Sequence, residues 1–399
     1  MTAPALAARP AANGSQKNGQ AVVVPPQPFL VGAYDTTTPD IDVSLVQTTA
    51  AQKLGTFKIS PNGWLSGIFC LFQMAVTGQA TNSVSYSKDN PFSVIQKVTF
   101  RDLGNREIFG PLTGYEWFTV NKWGGYFGQV ISADPRNPGG AFSATTGTGS
   151  TGGSFSFALW LPLEIVRRDT LGEIENKSSS SAYTLEIFID SQANTYNQVP
   201  SVQGTLRFRA NIDGYTEPEA ADSMGRPNAT EPPAAGTVQY WTSEIPQAFA
   251  AGFQKYNLVN GIGYAIRNLI RVGYDNGNGT RATVGLNGGT TPDPWTVTFG
   301  KIQLSQLPVL MWLDKMAKMY GLDNATADSF KGPENGVLVI PFNRDFTNTP
   351  GEELRNDYLS TKAGNVLQFS GAYGASTIEH FLVNYIIAPG NDAGRLRAR

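Results

Sequence analysis

The chain is 399 residues long and only 16% charged, with a formal net charge of −2, one cysteine (Cys70) and one histidine (His380). That length favours two domains over one core; the counts exclude an intramolecular disulfide and a Cys/His zinc centre, and the near-neutral charge argues against a surface that grips nucleic acid throughout. Gly (43), Pro (25) and aromatics (11%) are plentiful, the mix expected of many short strands joined by turns.

Residues 1–28 are rich in Ala, Pro, Gly, Gln and Asn, and Arg9 and Lys17 are their only charged side chains. They lack the apolar content for a core and read as an N-terminal arm without a secretory leader pattern. Strands are predicted over 41–48, 53–59 and 64–76. The third, GWLSGIFCLFQMAV, is apolar on both faces, as in a strand covered from both sides, and is expected to face a neighbouring barrel or subunit. Its apolar run is too short to span a bilayer as a helix.

A helix is predicted next. Thr113 is its N-cap and Glu116, three residues on, completes a capping box, with Leu112 and Trp117 at the positions of a hydrophobic staple. After a long polar loop, ISADPRNPGGAFSATTGTGSTGG, the stretch SFSFALWL places Phe155, Phe157, Leu159 and Leu161 on one face. In GTLRFRANI, Leu206, Phe208, Ala210 and Ile212 alternate with Arg207, Arg209 and Asn211, a half-buried strand. The Pro-rich stretch 214–236 has almost no large apolar residue and reads as a linker.

Beyond it, IGYAIRNLIRVGY is expected to place Ile266, Ile270, Val272 and Tyr274 on one face and Arg267 and Arg271 on the other. A second polar loop, DNGNGTRATVGLNGGTTPDP, precedes a second helix. Ser305 is predicted to cap that helix, Pro308 is tolerated in its first turn, and Val309, Trp312, Leu313 and Met316 recur at helical spacing. The end carries Arg395, Arg397 and Arg399, a basic tail over 390–399.

The two halves repeat one order: strand, Trp-bearing helix, a strand ending in Leu-Pro or Ile-Pro, a Gly-Glu loop, then two strands. Ordered self-similarity of this kind predicts two copies of one fold. About eight short strands per half suit a jelly roll. The expected fold is all-β, two tandem eight-stranded jelly rolls with a short flanking helix each. The expected organisation is an arm over 1–28, a first jelly roll over 29–213, a linker over 214–236, a second jelly roll over 237–389 and a tail over 390–399.

Catalytic chemistry finds little purchase. His380 sits within a strand pattern, STIEHFLVNY, and reads as a structural histidine. Cys70 lies mid-strand between Phe69 and Leu71 and reads as a buried thiol. GTGSTG (147–152) matches a dinucleotide fingerprint, but a strand and not a helix follows it. DNGNGT lacks the alternating carboxylates of a calcium loop and reads as a hairpin turn. Paired carboxylates remain the best enzymatic signal. Glu173, Glu175, Glu352 and Glu353 are expected in polar loops on a solvated face.

Three stretches carry a resemblance: FSVIQKVTFRDLGNREIFGPLTGYEWFTVNKWGG, then FALWLPLEI with AYTLEIFIDS, and finally NVLQFSGAYGASTIEHFLVNYIIAP. In this order the chain resembles the double jelly-roll major capsid proteins of tectiviruses, tailless icosahedral phages with an internal membrane. The Pro-rich arm, with Pro4, Pro10, Pro25 and Pro26, departs from the well-formed N-terminal helix of that family. The resemblance implies a coat protein without enzymatic activity or cofactor, assembling as pseudo-hexagonal homotrimers into an icosahedral shell around a membrane and a DNA genome. It further implies contacts with neighbouring trimers, with penton and minor capsid proteins, and with membrane lipid near the termini, but no sequence-specific nucleic-acid binding. Assembly in the host cytoplasm and residence in the virion follow, with Arg9, Lys17, Arg395, Arg397 and Arg399 as inward-facing basic tails. Two alternatives stand beside it: a minor spike or receptor-binding virion protein, and a two-domain β-sandwich acting on carbohydrate.

Overall fold

A computed structural model describes residues 25–77, 83–87, 89, 91–124, 126, 143–149, 151–165, 170–178, 180–233, 235–244, 246–258, 265–277, 279–283, 290–320, 336–342, 358–361 and 366–387, with side chains as far as 316 in the last helix. Arg9, Lys17, Arg395, Arg397, Arg399, Glu352 and Glu353 lie outside the described residues.

Sixteen principal strands stand out among the described residues, eight in each half. The first eight are β1 (Asp35–Val46), β2 (Gln52–Lys58), β3 (Gly63–Ala75), β4 (Ile95–Arg101), β5 (Glu107–Leu112), β6 (Phe155–Pro162), β7 (Thr184–Ile189) and β8 (Thr205–Tyr215). The second eight are β9 (Val238–Ser243), β10 (Gly252–Asn257), β11 (Ala265–Asp275), β12 (Trp295–Phe299), β13 (Ile302–Leu307), β14 (Val337–Pro341), β15 (Leu367–Tyr373) and β16 (Thr377–Ile387). Helix α1 (Gly114–Trp123) follows β5, and α2 (Val309–Tyr320) follows β13.

In the first half the sheets run β1-β8-β3-β6 and β5-β4-β7-β2; in the second they run β9-β16-β11-β14 and β13-β12-β15-β10. Adding eight to every label of the first half therefore reproduces the second, helix included. Each half is a pair of four-stranded antiparallel sheets, the jelly-roll arrangement, and the chain is a double jelly roll. Between the halves, β5 and β9 meet in a parallel bridge at Phe109 and Trp241. One sheet thereby continues from the first barrel into the second.

The alternation legible in the sequence directs the side chains. In β8, Leu206, Phe208, Ala210 and Ile212 are buried while Thr205 and Arg207 are exposed. Phe72 of β3 lies 4.9 Å from Phe208 and 5.3 Å from Phe157, and meets Trp117 of α1 edge-on at 6.0 Å. Each such fully buried side chain contributes roughly 1.5–3 kcal/mol. Immediately after the arm, Phe29 is buried edge-on against Trp64 and Tyr215, at 6.1 and 6.0 Å.

At three points the structure corrects or narrows the expectations. Ser305 does not cap α2; it lies within β13, paired with Val297. The backbone N–H of Val309 instead donates to Asp293 Oδ1 at 3.2 Å, a cap supplied from the turn before β12. Arg267 and Arg271, expected together on the face opposite Ile266, Ile270, Val272 and Tyr274, are both buried, and a register shift between Ile266 and Asn268 separates them. Arg271 pairs across the ladder with Phe381, which stacks on Phe369 and Tyr256 of the facing sheet. Directly paired residues share a face, so Arg271 points into the second barrel, where Glu379, also fully buried, neutralises it through two hydrogen bonds. For β3 the outer face has no barrel over it within the chain, Phe69 there being 48% exposed, so of the two expected covers only a neighbouring subunit is left.

Candidate functional site at the junction of the two barrels

Helix α1 stands between the barrels, and all ten of its residues are buried. Its start is fixed locally: Thr113 Oγ1 accepts from the Glu116 N–H at 3.3 Å, and the Thr113 N–H donates to Glu116 Oε2 at 2.7 Å. Two of the helix's otherwise orphaned donors are satisfied in this way. Its flank is pinned to β6, where the Trp160 carbonyl accepts from Trp117 Nε1 at 2.7 Å and from Asn121 Nδ2 at 2.6 Å.

The second barrel then engages both ends of this helix. At the start, Glu116 Oε1 accepts from Ser243 Oγ at 3.1 Å and meets His380 Nδ1 at 2.9 Å. Burial pushes the Glu116 carboxyl up, but the hydrogen bond and charge of His380, with the Thr113 contacts, outweigh it and hold it below its ordinary value. At the end, the carbonyls of Trp123 and Gly124 accept from Asn268 Nδ2 at 2.9 Å and Arg267 at 3.2 Å. A cation at a helix C-terminus also meets the negative end of the helix dipole.

Around the helix the seam is polar, and most of its groups are paired, although Asn268 Oδ1 and both Arg281 Nη atoms are buried without a hydrogen-bond partner. Gln239 of β9 donates to the carbonyls of Leu163 and Glu164, both at 3.0 Å, and accepts from Tyr126 Oη at 2.8 Å and Asn384 Nδ2 at 3.1 Å. The Arg281 guanidinium lies 3.5 Å from the Tyr115 ring centre and 4.4 Å from that of Tyr274, and its Nε bonds Asp89 at 2.8 Å. Here a side chain of the second half is held between rings from both halves. Such buried networks, when satisfied, fix one arrangement of the parts they join. The junction is a buried polar seam that draws on both halves.

The residues considered for catalysis are dispersed. His380 serves the junction. Cys70 is buried, and burial pushes its thiol far up, away from nucleophilic use. Glu173 is buried and not on a solvated face, its Oε1 accepting from Ser66 Oγ at 2.7 Å. Glu175 is exposed and 3.7 Å from Lys177. In DNGNGT the Gly277 N–H donates to Asp275 Oδ1 and the Gly279 N–H to the Asp275 carbonyl, both at 2.7 Å, hydrogen bonds of a turn. Among the described residues no three His, Cys, Asp or Glu side chains gather as a metal site, and no helix is long and apolar enough to cross a membrane.

Sequence reasoning found Thr113 and Glu116 but not Gln239, Arg267, Asn268 or Arg281. A weak signal existed: Gln and Asn recur inside otherwise apolar strands, where a buried amide needs partners.

No family model and no curated protein sequence matches the chain. Solved structures do. The atomic structure of Sulfolobus Turreted Icosahedral Virus matches at TM-score 0.60 and 10% identity, over 91% of this chain and 95% of that one. The major capsid protein P2 of Bacteriophage PM2 matches at 0.50 and 9%, over 90% and 99%. The Faustovirus major capsid protein matches at 0.52 and 10%, over 94% and 92%. At these identities the fold is what is shared, along nearly the whole length of every chain. This chain has the double jelly-roll fold seen in those viral major capsid proteins.

Proposed function

We propose that the chain is a major capsid protein, assembling as pseudo-hexagonal homotrimers into an icosahedral shell around a membrane and a DNA genome. The observation that carries this reading is the duplication itself: two barrels of identical strand order, welded by a buried polar seam into one body. Three such bodies in a ring present six like corners, so a threefold particle tiles as a hexagon. A weld matters because a hinge between barrels would let the corners wander. Catalysis has no part in this reading; of the carboxylates weighed for glycoside chemistry, the two among the described residues are separated, Glu173 in a buried Ser66 contact and Glu175 in a surface ion pair.

In the same reading the basic tails with Arg9, Lys17, Arg395, Arg397 and Arg399 face inward, where anionic lipid would attract each charge by roughly 1 kcal/mol. Neighbouring trimers, penton proteins and minor capsid proteins are the remaining partners, and the virion is the location. Light scattering on the purified protein tests the reading: a mass three times the 42.9 kDa chain is expected, together with ordered arrays or shells under the electron microscope. A monomer at micromolar concentration, or a protein present only in minor copy number in purified particles, would contradict it; the latter would favour a spike.

A further inference from the structure

The contact between the barrels runs in one direction. Helix α1 of the first barrel lies against the outer face of the second barrel's β9-β16-β11-β14 sheet, while β5 beside it meets the edge strand β9. The corresponding helix side of the second barrel is β13 with α2, and there Ile302 is 64%, Met311 59% and Leu310 44% exposed. The sheet corresponding to the covered one is β1-β8-β3-β6, whose outer face is open at Phe69. One chain thus carries an unused copy of each half of a contact that it makes internally.

We infer that the α2 side of one copy docks on the outer face of β3 and β6 of a second copy, as α1 sits on β11 within the chain. The inference rests on the self-assembly reading and names its interface. Phe69 and Trp160 form the centre of the receiving face: they pair across β3 and β6, with ring centres 6.1 Å apart. Leu310 and Met311 form the centre of the docking face. The contact is heterologous, so each copy uses both faces, and a ring closes when successive barrels turn by one sixth of a revolution.

Two features prepare the receiving face. Gly67 lies under the Trp160 indole, where a Cβ would come within 2.2 Å of the ring, so glycine lets the ring lie across the sheet. A glycine inside a strand often marks such a close approach. The Trp160 backbone is held on both sides by Asn121, whose Oδ1 accepts its N–H at 2.7 Å and whose Nδ2 donates to its carbonyl. A side chain already fixed loses little freedom on docking. A second copy is the occupant these faces fit, because the same chain shows a matching helix side seated on a matching sheet.

The test uses the full chain, whose only cysteine is buried. The double variant Phe69→Cys with Met311→Cys, treated with a short bifunctional maleimide, is expected to give covalent dimers and trimers. Each single variant, and Phe69→Cys combined with Phe253→Cys, is expected to give none. Separately, Leu310→Asp with Met311→Asp is expected to raise the concentration at which trimer gives way to monomer by about 30-fold or more, with circular dichroism unchanged. If the wild type is a trimer but the 69/311 double-cysteine variant fails to cross-link, or the aspartate variant dissociates at the wild-type concentration, the inference is overturned and the assembly reading stands. A monomeric wild type overturns both.

Discussion

Strands β3 and β11 hold the same place in their barrels, yet their surroundings differ. β11 is buried along nine consecutive residues, Ala265–Gly273, whereas β3 shows Phe69 to solvent on its outer side. The helices differ in the complementary way: α1 is buried throughout, while α2 exposes Leu310 and Met311. Fold is common to the two halves; coverage is not. What buries the outer face of a strand is the barrel that stands beside it, and only one of the two barrels has its neighbour within the chain.

The interiors differ too, and this is where the comparison breaks most readily. The second barrel encloses Arg271 and Glu379, both fully buried. Replacing Glu379→Gln leaves a buried guanidinium without its counter-charge and is expected to cost about 3–5 kcal/mol in chemical denaturation. The double change Arg271→Met with Glu379→Leu removes the charge pair as a whole and is expected to be close to neutral. A single variant as stable as the wild type would show that the pair is hydrated.

Next in size is the seam. Gln239→Leu removes both donors to the carbonyls of Leu163 and Glu164 and the acceptor for Tyr126, and an unfolding cost of about 2–3 kcal/mol is expected. Hydrogen exchange should quicken at β9 and α1 before it does in β3 or β8. Equal quickening throughout would mean that the seam does not act locally.

Glu116→Gln is expected to cost about 1–2 kcal/mol at pH 7. The Glu116 carboxyl is held below its ordinary value of 4.5. Its ionised form therefore stabilises the folded chain fully above that value, and the contribution fades as pH falls through the lower folded-state value. Denaturation midpoints of wild type and variant should converge as the solution is acidified; a constant gap from pH 7 to pH 3 would contradict the assignment. Smallest of all is the outer-face pair Arg207–Asp42, exposed on both sides. Asp42→Asn should leave the melting temperature unchanged, as surface pairs of this kind rarely register.

Much of this fold was legible because its signals are local. Alternation fixed the faces of β6 and β8, and the spacing of Thr113 and Glu116 marked the start of α1. The double jelly roll followed from order alone. Ser305 misled because a serine three residues before Pro308 looks like a cap, whereas β13 continues to Leu307 and Asp293 caps from another segment. The second role of Glu116 was out of reach, since His380 lies 264 positions away. For Arg267 and Arg271 period-two alternation gave only a face, since it cannot tell water from a neighbouring barrel or from a buried counter-charge. Glu173 misled for the same reason, its partner Ser66 being 107 positions distant.

Electron cryomicroscopy of the purified assembly, viewed down its symmetry axis, tests the central claim most directly. Six barrel-sized densities at the corners of a hexagon, alternating around a threefold axis, are the expected result. Three densities, or pairs of barrels whose relative orientation varies from particle to particle, would contradict it.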